Sequence, residues 1–441
     1  MSTFAKTILV AGAGAGVADC KLLTTRDRGA VEIHEFPYEH FVRSYCNMFP
    51  SLITASLAFF ALTAQAIPQQ GGNGFGGQGG ASSSSSTATA SAAATAVSTA
   101  AVSTSTVACN NSPDLCNRNY NNITHMGAHD SAFVRDSSTD FTVSGNQYYN
   151  ATVALSAGLR LLQAQVHNEN STLELCHSSC ALLDAGSLSS WLAEIKTWMD
   201  NNPNEVVTLI LVNSDDQSAA TFGAVFESSG ISTYGYTPTS TSAMSTWPTL
   251  QTLITANTRL VTFIASIDYD TTYPYLLPEF NYVFETDFGV TSLSGFNCTI
   301  DRPTSLSSSA AAISAGYMGM LNHFMDDAGS FGISTPNTAN LTITNSPDTS
   351  TTGALGTHGS QCNSEWSAKP VFIIVNFFNV GPAIEAADNL NGITGTGRTS
   401  VSTALLTANS SSSKATRHGL NGGAVAVFAL GVVAICNFVL L

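Results

Sequence analysis

Charge is what this chain has least of. Only 10% of its 441 residues are charged, and 15 Lys plus Arg stand against 30 Asp plus Glu, a formal balance of −15. So acidic a protein is a poor partner for nucleic acid, because phosphate backbones attract basic surfaces. It is equally ill suited to an anionic lipid surface unless its few cations are gathered at one site. A nucleotide-binding glycine loop is missing too. Ala11 to Gly16 reads A-G-A-G-A-G, but the third glycine of G-x-G-x-x-G falls at Val17. The apolar run from Leu52 to Leu62 holds about eleven residues, too few to cross a bilayer.

That short run has another reading. Met48 to Ala66 has the layout of a secretory signal, with Ala64-Gln65-Ala66 as an A-x-A cleavage site. Such a signal belongs at an N-terminus, so residues 1–47 are expected to be an upstream extension of the gene model, with Met48 the start. At the other end, small residues around Ser410 and Ser411 precede a polar spacer and an apolar tail, Ala424 to Leu441. This is the arrangement of a GPI-attachment signal, with Ser410 and Ser411 as candidate attachment sites and 414–441 removed on processing. A C-terminal transmembrane helix is the rival, and the absence of a basic flank after Leu441 favours the anchor. Residues 67–108, Gly/Gln-rich and then almost only Ser, Thr and Ala, cannot bury a core and read as a disordered, O-glycosylated stalk.

Of 9 cysteines, Cys20 and Cys46 precede the signal and Cys436 lies in the tail. The remaining Cys109, Cys116, Cys176, Cys180, Cys298 and Cys362 form an even set, as a secreted disulfide framework requires. Local spacing suggests Cys109–Cys116 and Cys176–Cys180, leaving Cys298–Cys362, although six cysteines allow fifteen pairings and the sequence does not choose. Asn-x-Ser/Thr sequons at Asn110, Asn122, Asn150, Asn170, Asn297, Asn340 and Asn409 fit the same route. Asn122 is near His129 in sequence, so a glycan there is expected either to restrict that neighbourhood or to be absent.

The folded body spans 109–398, followed by a linker, 399–413. Strands are predicted at 121–126, 159–166, 206–212, 260–265, 282–286, 317–321 and 371–377. Helices are predicted at 148–157, 188–201, 250–256 and 383–390. The clearest is Leu188 to Asn201, where Trp191, Leu192, Ile195, Trp198 and Met199 recur at helical spacing before Asn202-Pro203. Residues 303–312 and 334–360 read as long surface loops. Strands alternating with helices point to an α/β domain, either a barrel or an open sheet.

Two histidines stand out within this frame. His129 lies in Gly127-Ala128-His129-Asp130-Ser131 and His177 in Leu175-Cys176-His177-Ser178, each at the end of a strand-like run. Between them, Gln163 and Gln165 alternate with apolar residues and so share one face of a strand. Two imidazoles gathered at strand ends can exchange protons near neutral pH.

This stretch resembles the catalytic X region of phosphatidylinositol-specific phospholipase C, in the form of fungal secreted PLC-like phosphodiesterases. The resemblance rests on Gly127–Ser131, on the Leu159–Val166 strand followed by His177, and on Ser187–Leu192, Trp198–Glu205 and Val206–Val212. It is close over about residues 117–215 and looser to about 392. It implies a TIM-type (β/α) barrel, regular or distorted, in which His129 is the general base, His177 the general acid, and Asp130 orients an imidazole. The base would take a proton from a hydroxyl beside the phosphate. That oxygen would attack phosphorus and expel the lipid alcohol, leaving a cyclic diester. The two proton carriers would come from neighbouring barrel strands.

The departures are on the second strand and beyond. Gln163 and Gln165 stand where bacterial members place an aspartate and an arginine, and where calcium-dependent members place acidic ligands. Asn213 stands for a glutamate and Asn376 for an aspartate. No metal site and no cofactor are therefore expected. Gln163, Gln165, Asn213 and His323 are candidate substrate contacts, and Arg160, Lys369 and Arg135 candidate replacements for the lost cation. His125, His167 and His358 read as structural, while Asp268 and Asp270 are open between cavity and solvated loop. The expected function is a monomeric, GPI-anchored phosphoric diester hydrolase acting without metal on a phosphoinositide or related lipid or glycolipid. The alternatives are an inactive barrel serving as a surface binding protein, and a glycerophosphodiesterase, which needs acidic metal ligands.

Overall fold

The computed structural model describes residues 7–12, 19–26, 30–33, 107–329 and 334–407. The predicted signal peptide, most of the stalk, Ser410, Ser411 and the tail lie outside them. The N-terminal segments form an antiparallel meander by themselves, β1 (Thr7–Gly12), β2 (Asp19–Arg26) and β3 (Ala30–Ile33). They belong to a unit distinct from the one that carries the histidines.

That second unit contains β4 (His125–Ala128), β5 (Leu161–Glu169), β6 (Thr172–Cys176), β7 (Asp184–Ser187), β8 (Val207–Asn213) and β9 (Leu260–Ala265). It continues with β10 (Leu276–Pro278), β11 (Val283–Glu285), β12 (Met318–Asn322), β13 (Asp326–Ala328), β14 (Ser334–Pro336) and β15 (Phe372–Val375). Eight of these strands are hydrogen-bonded in the order β10-β9-β8-β5-β4-β15-β12-β11, every neighbouring pair parallel. No ladder joins β10 to β11 among the described residues, where a 3-10 turn, Glu279–Asn281, takes the place of a crossover helix. The architecture is thus a curled, incompletely closed (β/α) barrel.

Side-chain alternation along the strands separates two cores. Leu162, Ala164 and Val166 of β5, with Leu209 and Leu211 of β8, face the outer helices. Leu161, Ile210, Val261, Phe263, Phe372 and Ile374 face the barrel axis. The N-terminal end of the barrel is plugged by Tyr120, Trp247, Tyr282 and Phe263 in mutual ring contact, with His125 packed at a tilt against Tyr120. The C-terminal end is the one left open, which is where barrels of this kind carry their chemistry.

The helix at Leu188–Asn201 forms as its periodicity predicts, with the Ser187 side chain capping Ser190 N. The first strand starts later than predicted, at His125, because Tyr120–Asn122 forms a 3-10 turn against Pro248 O. Asn122 therefore sits at the plugged end and His129 at the open end, so a glycan on Asn122 is remote from the histidines. Asn110 is buried with Nδ2 donating to Val206 O, which leaves no room for a glycan there. The predicted loops at 303–312 and 334–360 instead contain helices at Ser309–Ser314, Leu341–Thr344 and Leu355–Trp366. The three disulfides Cys109–Cys116, Cys176–Cys180 and Cys298–Cys362 are formed.

Candidate active site

Strand β4 runs directly into His129, whose N–H donates to Val375 O at 3.0 Å. Gly127 is required for packing: a Cβ there would lie 2.6 Å from Leu161 Cγ on the adjacent strand. Asp130 then turns the chain with φ 47°, a left-handed conformation that aspartate tolerates better than most residues. Gln147 secures the turn by donating from Nε2 to His129 O (2.6 Å) and Val375 O (2.9 Å).

His177 reaches the same place by another route. Strand β5 extends above the barrel, reverses at Asn170 and Ser171, and returns antiparallel as β6. His177 follows β6, so it arrives on a hairpin and not from a neighbouring barrel strand. The Cys176–Cys180 disulfide brackets it, and Ser178 adopts φ 59°. Phe133 packs edge-on against its ring at 5.2 Å.

The fully buried Asp130 joins the two histidines. Its Oδ2 lies 3.5 Å from His129 Nε2 and 3.3 Å from His177 Nε2. Gln165 Nε2 donates to the same oxygen at 3.0 Å. Burial opposes the charge on Asp130, but the two imidazoles and the Gln165 amide outweigh it and hold the carboxyl below its usual range. Burial likewise opposes charge on His177, yet Asp130, by hydrogen bond and by charge, and Asp326 more weakly, raise it above the ordinary imidazole value. His129 Nδ1–H donates to Asn376 Oδ1 at 2.8 Å, and Asn146 Nδ2 donates to the same oxygen at 3.2 Å. That bond fixes the tautomer and leaves Nε2 as the basic nitrogen. Phe324 stacks on the ring at 3.7 Å. The result is one imidazole set to accept a proton and a second set to give one, both facing a single cavity of about 490 Å³.

The wall of that cavity also carries an ion pair that sequence reasoning missed. Glu285, at the end of β11, is bound by the Arg302 guanidinium, whose Nε donates to Oε2 at 2.9 Å, and by Asn322 Nδ2 at 3.2 Å. An antiparallel bridge from Glu285 to Arg302 brings the arginine in. Its guanidinium packs over Phe288 at 4.5 Å. Beside Glu285, buried Glu279 is driven well above the carboxylate range by desolvation and by Glu285. No motif surrounds Arg302; only the tertiary bridge identifies it.

The candidate contacts divide. Gln163 and Gln165 face the cavity, but their polar ends are largely committed to the loop: Gln163 Oε1 accepts from Asp130 N at 2.6 Å and Gln165 Oε1 from Ser178 N at 3.0 Å. They position Asp130 and the His177 segment. Asn213 is outside the cavity; it ties two loops together through Gln217 and Ser266 O. His323 is also outside, fully buried between His358 Nδ1 (2.9 Å) and Thr344 O (2.8 Å) and stacked on Phe296. Burial and His358 push His323 well below the usual imidazole value. Of the candidate cations, Arg160 pairs with Glu205, Lys369 binds Asn391 at the plugged end, and Arg135 is not on the cavity wall. Asp268 and Asp270 line a separate depression with Asp216. The carboxyl groups on the histidine cavity are Asp130, Asp326 and Glu285; the first is taken by imidazoles and Gln165, the last by Arg302 and Asn322.

The PI-PLC X family model, described as PI-PLC X 1, matches residues 115–391. The chain is 37% identical over 287 residues to PI-PLC X domain-containing protein 1 of Arthroderma benhamiae, covering 65% of this chain and 90% of that one. It is 36% identical over 301 residues to an uncharacterized secreted protein of the same organism, covering 66% of this chain and 65% of that one. Among solved structures, it is similar to phosphatidylinositol-specific phospholipase C from Listeria monocytogenes at TM-score 0.41 and 15% identity, over 63% of this chain and 95% of that one.

Proposed function

The chain belongs to the PI-PLC X family, and from that premise we propose that it is a secreted phosphodiesterase that cleaves a lipid-linked phosphodiester by histidine acid–base chemistry. The observation that carries the proposal is the single Asp130 oxygen within 3.5 Å of both His129 Nε2 and His177 Nε2 at the open end of the barrel. His129 Nε2 takes the proton of a hydroxyl beside the phosphate. The freed oxygen bonds to phosphorus as the P–O bond to the lipid alcohol breaks, and His177 protonates the departing oxygen. Asp130 stabilises the imidazolium on either side of the transfer.

Two features favour a hydroxylated head group on a lipid. The Glu285–Arg302–Asn322 wall offers a carboxylate acceptor beside amide and guanidinium donors, a combination that suits neighbouring hydroxyls. At the cavity, Leu182 and Phe288 stay 55% and 46% exposed. With a formal charge of −15, attraction to an anionic surface is unfavourable, so apolar contact at the mouth is the more favourable way to meet lipid. The disulfides and the relative named as a secreted protein support export, and the tail sequence supports a GPI anchor at the cell surface.

A second reading, a barrel that binds without cleaving, draws on Gln165, which spans Asp130 and Ser178 where the resemblance implies an arginine. Turnover of phosphatidylinositol and of a chromogenic inositol phosphodiester in EDTA, with His129→Ala and His177→Ala alongside, separates the two. Catalysis predicts a loss of roughly a hundred- to ten-thousand-fold in each variant while it remains folded. A folded wild type with no turnover on any diester tested would support the binding role.

A further inference from the structure

The segment after β12 brings a group to the site that the acid–base scheme leaves unused. Asp326 opens β13 and lines the cavity together with His129, Asp130 and His177. Its position is fixed: its N–H donates to Val290 O at 2.9 Å, and Phe324, two residues earlier, is stacked on His129. Its Oδ1 is buried and has no hydrogen-bond partner among the described residues. The charged and titratable groups facing it are His129, His177, Asp130 and Asp327. Asp327 is turned away to accept from Asn337 Nδ2, and Arg302, which also lines the cavity, is paired to Glu285.

A cavity that receives a phosphodiester anion therefore presents a carboxyl group beside the histidines, with no unpaired arginine or lysine on its wall among the described residues. An ionised carboxylate there would repel the phosphoryl oxygens, whereas the neutral acid would offer them an O–H. We propose that Asp326 is the phosphate-contacting acid of this site, its carboxyl O–H donating a hydrogen bond to a phosphoryl oxygen of the bound diester. The inference rests on the phosphodiesterase reading above. Desolvation pushes the Asp326 carboxyl up; His129 and His177 pull it down, Asp130 and Asp327 push it up again, and the net direction is upward. An arriving phosphodiester adds another negative charge and favours the acid form further. The diester has no proton of its own to exchange near neutral pH, so the proton that accompanies binding is taken up by the protein. Asp326 thus supplies by hydrogen bond part of what a cation would supply by charge, and it makes substrate affinity depend on pH.

The test is the pH dependence of KM and kcat for a chromogenic inositol phosphodiester, between about pH 5 and about pH 8, in wild type, Asp326→Asn and Asp326→Ala. Wild-type KM should climb, approaching tenfold per pH unit once Asp326 ionises in the free enzyme. Asp326→Asn keeps a donor and cannot ionise, so its KM should stay level and fall below the wild-type value at the alkaline end. Asp326→Ala should raise KM about tenfold at the acid end while kcat changes less. A purely structural loss would move both constants together and leave the wild-type pH dependence in place. Variants that reproduce the wild-type KM profile, or an Asn variant as impaired as Ala at the acid end, overturn the role of Asp326 and leave the phosphodiesterase reading standing. A wild type that turns over no diester removes that reading and this inference with it.

Discussion

Asp130 carries two jobs in one carboxylate, and they separate on substitution. Its charge raises His177 above the ordinary imidazole value, and its oxygen sits between both Nε2 atoms. Asparagine at 130 keeps the size and an acceptor oxygen while removing the charge. In the proposed scheme His177 is the acid, so activity should fall as pH passes its folded pKa. Taking away the partner that raises this pKa moves the alkaline limb of the kcat/KM profile to lower pH, by about 1 unit. The profile of Asp130→Asn, measured beside wild type, checks this, and an alkaline limb that stays in place or moves upward would falsify the pairing. The neighbouring residues follow the same economy of contacts. Gln163 and Gln165 hold the loop that Asp130 turns, and Asn376 and Asn146 fix the His129 tautomer. Amides occupy several positions where the resemblance implies charge, which is how so weakly charged a chain keeps its site oriented.

At the scale of elements, the helix Leu355–Trp366 ties the C-terminal half to the barrel. Cys362 on it is bonded to Cys298, 64 residues away, and Trp366 Nε1 donates to Cys298 O at 2.9 Å. A loop of that length constrains the unfolded chain strongly, so Cys298→Ala with Cys362→Ala should cost about 4 kcal/mol in urea unfolding. Removing Cys109–Cys116, which closes a loop of only 7, should cost about 2 kcal/mol. Equal losses, or the reverse order, would show that local strain or packing outweighs chain entropy. The same helix shows where sequence reading stops. The helix at 188–201 was legible because five apolar residues repeat at one spacing, and β9 because a run apolar except for Thr262 admits little else. Leu355–Trp366 has no such stripe: it buries His358, Cys362 and Trp366 and starts at a close backbone contact in which Gly356 leaves no space for a Cβ beside Pro347 O. Its order comes from tertiary partners. Arg302 was hidden for the same reason, since its only signal is a bridge to Glu285. His129 and His177 were legible because each carries its own local motif.

For the whole molecule, the balance of buried neutral groups sets how stability responds to pH. His125, in the barrel plug, and His358 are each lowered to about 4, chiefly by burial, and His323 is pushed well below the ordinary value. In the unfolded chain all three protonate near 6.5, while in the fold they stay neutral. Between about pH 6.5 and 4 the unfolded state therefore binds more protons, and folding loses up to about 1.4 kcal/mol per pH unit for each of them. His177 has the opposite sign: its raised value adds stability that is complete below about 6.5 and fades as pH rises through its folded pKa, so it is constant across this window. Asp130 is depressed and contributes until pH falls through its own folded value, below the window. Glu279, kept neutral by burial and by Glu285, works against the trend, because its penalty shrinks as pH falls toward the unfolded carboxyl value near 4.3. Three histidines outweigh it. Melting temperature should therefore drop from neutrality toward pH 4.5 or so, well before general carboxylate protonation. His125→Gln, which retains a nitrogen to bond Tyr120 O where His125 Nε2 lies at 3.0 Å, should flatten the slope by about one half, since Glu279 already offsets one of the three histidines. A melting temperature that holds or rises across that window would mean that these imidazoles are protonated in the fold, and the aromatic plug would have to open to water to allow it.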